Sequence, residues 1–154
     1  MTLLLKNLVF TVLVPGTVAG YLPHAIGSRS AAAPPGVARL LIAAPLFLAG
    51  GVIYFWCLWH FAVSGHGTPA PIDPPTRLVI RGLYGRIRNP MYVGVLTAVA
   101  GWAVYYRSIL LIEYGVAFAV LFHLLVVLVE EPLLQRRFGT AYEEYCRAVP
   151  RWIG

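Results

Sequence analysis

Four apolar runs, at about Leu3 to Leu22, Val37 to Val63, Tyr92 to Tyr106 and Ile109 to Val129, limit this chain more than any other feature. A membrane-crossing helix needs roughly 20 apolar residues, within a range of about 17–25. Lipid offers backbone groups no partners, so such runs must satisfy their own hydrogen bonds as helices. The expected fold is therefore an all-α membrane protein with about four transmembrane helices. The first, second and fourth runs are long enough. The third is short and must borrow flanking residues or lean on its neighbours. Composition agrees: 59% of residues are hydrophobic and 12% charged, against about 25% charged in soluble domains.

The tight break at Tyr106-Arg107-Ser108 predicts a hairpin of the third and fourth helices. Lys6 ahead of an apolar stretch would suit a signal peptide. However, Pro15 and Gly16 interrupt the run and no small-x-small cleavage site follows, so the helix reads as retained. One membrane domain is expected over 1–154: two N-terminal helices in 1–63, a loop in 64–91, the hairpin in 92–129 and an amphipathic cap in 130–154. Ser64 to Pro75, rich in Gly and Pro, reads as an ordered non-helical loop. Glu130 to Arg137 and Ala141 to Val149 read as short amphipathic helices broken at Gly139.

With the N-terminus inside, the inner segments hold Lys6, Arg77, Arg81, Arg86, Arg88, Arg136, Arg137, Arg147 and Arg151, and the outer segments only Arg29, Arg39 and Arg107. The positive-inside rule then puts both termini on the cytoplasmic side of a multi-pass protein, taken to be in the inner (cytoplasmic) membrane. The formal net charge of +6 expresses that loop bias and attraction to anionic lipid. Because the basic residues form no continuous patch, a nucleic-acid partner is not expected. Cys57 and Cys146 lack metal-ligand spacing, which predicts neither a disulfide framework nor a zinc site.

Two polar blocks flank the last apolar stretch. Glu130-Glu131 closes the fourth run, where a helix C-terminus is unfavourable for anions. An interfacial stop signal is the plain reading, but carboxylates contribute little to topology. Something positive should lie nearby, either arginines of the other block or a cationic ligand. Arg88-Asn89-Pro90-Met91-Tyr92 sits where a loop meets a helix; Pro90 suits the first turn and Asn89 is a plausible cap. Positive-inside counting puts both blocks on one face. His123, seven residues before Glu130 on nearly the same helical face, reads as a satisfied interhelical donor or acceptor, and Glu113 as structural. His24 and His60 carry no pattern, and Gly65-x-Gly67 beside prolines reads as a turn.

The run Leu78-Val79-x-x-Gly82-x-Tyr84-x-x-x-Arg88-Asn89-Pro90-x-Tyr92-x-Gly94, followed by Glu130-Glu131-x-x-Leu134, Phe138-Gly139, Tyr142, Tyr145 and Val149-Pro150, closely resembles one family. These are the integral-membrane methyltransferases that include isoprenylcysteine carboxyl methyltransferase and the phospholipid N-methyltransferases. The resemblance covers about the last 80 residues; the first two helices match only as hydrophobic segments. It implies S-adenosylmethionine as methyl donor, bound on the cytoplasmic side. Carried over, the cofactor contacts fall on Thr76, Arg77, Leu78, Val79, Tyr84, Asn89, Pro90, Met91, Tyr92, Glu130 and Glu131. Arg88, Asn89 and Glu130 become the catalytic candidates. A carboxylate suits the cationic sulfonium and ammonium, and aromatic faces suit adenine and sulfonium. Methyl transfer is an in-line displacement that needs alignment and desolvation and no metal.

Enzymes of the prenylcysteine type generally carry His where this chain has Asn89 and Thr76. They also place an arginine, proposed to hold the substrate carboxylate, where this chain has Val126. The expected acceptor is accordingly a phospholipid or other small amphiphile taken from the membrane, with Arg88 or Arg81 the remaining candidates for a carboxylate. Two other readings stand beside this one: a non-catalytic membrane module retaining the fold, and a relative of nicotinamide-dependent sterol reductases, whose chains are much longer. Oligomeric state is open.

Overall fold

The structure is a computed structural model that describes residues 3–31, 35–65 and 78–152. All the regular elements among these are helical. Leu3–Leu13 forms α1; the rod runs on through a π segment, Thr17–Tyr21, into α2, Leu22–Ser30. Next come α3, Val37–His60, then α4, Pro90–Tyr106, and α5, Ile109–Leu125. A second π segment, Val126–Glu130, leads into α6, Glu131–Phe138, and α7, Thr140–Ala148. Three stretches are long and apolar enough to cross a membrane: Asn7–Ser30, Val37–Val63 and Ile109–Phe138. At 17 residues α4 is the short one, as the third run predicted. Their outer faces are apolar, with Leu48 70% and Leu128 67% exposed, which suits lipid as the solvent.

The first run does not break at Pro15-Gly16; the helix continues past Leu22, and its irregularity is the π segment. Pro23 explains that region. It has no N–H to donate, so the carbonyls it would pair in α or π register, Ala19 and Val18, lose their partner. Both are taken by other helices: the Trp102 indole of α4 donates to Ala19 O at 2.7 Å, and the Tyr114 hydroxyl of α5 donates to Val18 O at 2.8 Å. The N-terminal rod is thereby docked on the hairpin.

α4 is the centre of the bundle, packing on α2, α3 and α5, most extensively on α3. Gly50 and Gly94 make that crossing close: a Cβ on Gly50 would lie 2.7 Å from the Gly94 carbonyl oxygen. α4 and α5 turn about Arg107, the left-handed residue of the hairpin (φ 51°). There α2 is tied on by Tyr106 Oη to His24 Nδ1 at 2.8 Å and Ser30 Oγ to Ser108 Oγ at 3.2 Å. Helix ends differ slightly from expectation. α4 starts at Pro90, α6 and α7 are offset by one residue, and α3 is prolonged by a π segment through Gly65 into the expected loop. The rest of that loop lies outside the described residues. Gly139, at φ 53°, makes the expected break between α6 and α7 and turns α7 back toward the start of α4.

Candidate active site

The two polar blocks meet at this end of the bundle, through the last residues of the chain. Arg88 N–H donates to Pro150 O at 2.9 Å, and Asn89 Nδ2 donates to Arg151 O at 3.0 Å. Asn89 does stand at the N-cap position of α4, but its side chain makes no capping bond. The expected cap is corrected: the amide is committed to the C-terminal segment.

The adjacent glutamates have separate tasks. Glu131 is gripped by Arg151, whose Nε and Nη2 reach its two oxygens at 2.7 and 2.9 Å, and by Arg88 Nη1 at 2.9 Å. Its side chain is 18% exposed and that of Arg88 12%, so this is a half-dry cluster of two guanidiniums on one carboxylate that closes α6 and the C-terminal segment onto α4. The hydrogen bonds to Glu131 hold the Arg151 guanidinium above its ordinary value. Arg88 Nη1 also reaches Cys146 Sγ at 2.9 Å. The positive partner predicted for the pair therefore exists, and it belongs to Glu131. Glu130 instead accepts the Tyr92 hydroxyl, with no guanidinium paired to it among the described residues.

Tyr92 is itself held in place. Its ring stacks on Phe122 with centroids 4.5 Å apart, and Trp152 lies 6.4 Å from it. The Trp152 indole N–H donates to His123 Nδ1 at 3.1 Å. His123 is thus satisfied, as expected, but by the C-terminal segment rather than by another helix. Behind this group Tyr54, Val95 and Phe122 form a buried cluster against which Tyr92, Met91 and Trp152 pack.

The turn before α4 is arranged by core packing. Gly82 has φ 64°, and a Cβ there would lie 2.5 Å from His60 Nε2 and 2.9 Å from Trp56 Nε1, so only glycine fits. The following Gly82–Gly85 turn sinks Tyr84 beside Cys57 and Val79. Burial holds the Tyr84 phenol well above its ordinary value. Burial does the same for Tyr145 despite nearby Arg88, so Tyr145 stays a donor, to Tyr84 O at 2.7 Å.

Of the residues carried over from the resemblance, Tyr92 and Glu130 form one hydrogen-bonded pair with Met91 against the same cluster. Asn89, Arg88 and Glu131 form the neighbouring clasp. Val79, Tyr84 and Pro90 are buried and shape the site from beneath, and Leu78 is half-buried. Thr76 and Arg77 lie outside the described residues. Arg151, Trp152, Phe122 and Cys146 were missed. The unmet charge need of Glu130-Glu131 could have pointed to Arg151; nothing local marks the other three, which come together only through the return of α7.

A family model described as phospholipid methyltransferase matches residues 38–141. It takes in α3, where only hydrophobicity was recognised, and stops before Tyr142, Tyr145 and the C-terminal segment. No curated protein and no solved structure matches. With the match extending over more than half of its length, from α3 through both polar blocks, the chain belongs to the phospholipid methyltransferase family.

Proposed function

We propose that this protein transfers a methyl group from S-adenosylmethionine to a lipid or other amphiphilic acceptor at the cytoplasmic edge of the membrane. The observation that carries this reading is the Tyr92–Glu130 pair: a half-buried carboxylate at the end of a long apolar helix, oriented by a phenol whose ring stacks on Phe122. Such a donor set fits the cationic groups of the methyl donor. Glu130 would take the ammonium or sulfonium end, while Tyr92 fixes the direction in which that carboxylate points.

Bound there, S-adenosylmethionine supplies an electrophilic methyl on a sulfonium. In the transfer the sulfur–methyl bond breaks as the bond to the acceptor's nucleophile forms, and the sulfur keeps the electron pair. The residues around Glu130 need only align and desolvate the two partners. An ammonium acceptor must first lose a proton; a carboxylate or thiolate need not. Arg88 and Arg151 are already paired with Glu131, which disfavours Arg88 as a holder of an acceptor carboxylate.

An acceptor arriving from the bilayer has a way in. A cleft of about 230 Å³ opens between the N-terminal rod, α3 and α4, lined by Gly16, Gly20, Gly50 and Gly94. Its walls share Tyr54 and Val95 with the cluster beneath Tyr92. We take α4 as a fourth, short transmembrane helix and both termini as cytoplasmic, in keeping with the arginine distribution.

The test is to incubate purified protein with labelled S-adenosylmethionine and total membrane extract and to identify the labelled product. Calorimetry should find donor binding that is lost in Glu130→Ala. Wild-type protein that binds no donor would overturn the reading.

A further inference from the structure

We propose that Trp152, brought back by the C-terminal segment onto Tyr92 and the Tyr54–Val95–Phe122 cluster, is one wall of a receptor for an organic onium cation. The proposal rests on the methyl-transfer reading for its ligand but not for its geometry. It turns on Trp152, which lies beyond the residues that the family model matches, ending at 141.

Five separate contacts place this indole. Arg88 N–H and Asn89 Nδ2 hold the carbonyls of Pro150 and Arg151, directly before it, at 2.9 and 3.0 Å. The Arg151 side chain is locked to both oxygens of Glu131. The indole N–H is tied to His123 Nδ1 at 3.1 Å. The ring packs against the Tyr54–Val95–Phe122 cluster. What the restraint achieves is position: Trp152 lies 6.4 Å from Tyr92, whose ring stacks on Phe122 and whose hydroxyl holds Glu130.

Three neighbouring aromatic rings, one of which carries the hydroxyl that holds Glu130, match the chemistry of a cation that carries alkyl groups. The ring quadrupoles attract its charge, Trp most strongly, and the carboxylate supplies the counter-charge. A phosphate or carboxylate set directly against Glu130 would meet the repulsion of that carboxylate. Two cations of this class could come here: the sulfonium of the methyl donor, or the ammonium of a lipid headgroup. Asn89 and His123 act as positioning residues for the indole.

The two sources separate with matched probe pairs. S-adenosylmethionine and S-adenosylhomocysteine differ in the methyl group and the positive charge at sulfur. Short-chain phospholipids with ethanolamine and with glycerol heads differ in the ammonium. Calorimetric titrations compare wild type, Trp152→Ala, Trp152→Phe, Glu130→Gln and His123→Leu. Trp152→Ala and Glu130→Gln should weaken the onium-bearing member of one pair about tenfold while the partner without that group loses far less. Trp152→Phe should restore most of that loss, and His123→Leu should reproduce part of it. Loss confined to the S-adenosylmethionine pair assigns the sulfonium; loss confined to the lipid pair assigns the ammonium. Equal losses within both pairs, no loss in either, or wild-type protein that binds neither cation would overturn the proposal. Wild-type protein that binds no S-adenosyl compound but shows the charge-selective loss on the lipid pair would defeat the donor reading and leave this receptor standing.

Discussion

At the scale of single residues, Glu130 and Glu131 separate cleanly although they are neighbours. Breaking a buried ion pair costs about 3–5 kcal/mol, and an exposed pair contributes about 0–1 kcal/mol. The Glu131 cluster lies between these limits, with side-chain exposures from 12% for Arg88 to 34% for Arg151. Glu131→Gln should therefore destabilise the protein by about 2–3 kcal/mol, read as a lowered thermal midpoint in detergent. Glu130→Gln should leave that midpoint nearly unchanged and weaken S-adenosylmethionine binding at least about tenfold. Tyr92→Phe removes the hydroxyl that orients Glu130 and keeps the ring stacked on Phe122. It should lower donor affinity by about threefold to tenfold without loss of stability. Equal thermal losses for Glu130→Gln and Glu131→Gln would contradict this division.

At the scale of elements, two devices hold the bundle together without a hydrophobic driving force between helices. One is the close crossing at Gly50 and Gly94, where an added Cβ meets backbone atoms of the facing helix. Gly94→Val should cost about 1–3 kcal/mol through overpacking, measurable by thermal unfolding, whereas the same change at Gly139, where an added Cβ meets nothing within 4 Å, should act through its positive φ alone. The other is the pair of carbonyls that Pro23 leaves open. Trp102→Phe keeps the aromatic packing and removes the indole donor to Ala19 O, so it should cost about 1 kcal/mol. Pro23 and Trp102 can both be read in the sequence, but not their pairing. A missing N–H predicts that a carbonyl needs a donor, yet which helix provides it depends on how the rods cross. Gly139 and the Arg107 turn were legible because their chemistry is local.

At the scale of the whole molecule, the Arg88–Glu131 end and the Arg107 turn should face opposite sides of the membrane. In a Cys57→Ala background, Cys146 and, in a second variant also lacking Cys146, a cysteine replacing Arg107 should react with an impermeant thiol reagent from opposite faces of sealed vesicles. Reaction of both from one face would overturn the topology. The sequence by itself determined the helical class, three stretches apolar enough to cross a membrane, the hairpin and where both polar blocks fall relative to the helices. Those follow from hydropathy, turn chemistry and charge, which act over a few residues. Only the tertiary structure decided that Glu131 is neutralised while Glu130 turns to Tyr92, and that Asn89 grips the chain's last residues instead of capping α4. The physical reason is phase and return. The π segment Val126–Glu130 shifts the helical register just before the glutamates, and the bend at Gly139 sends α7 back so that Arg151 and Trp152 reach a block some sixty residues earlier.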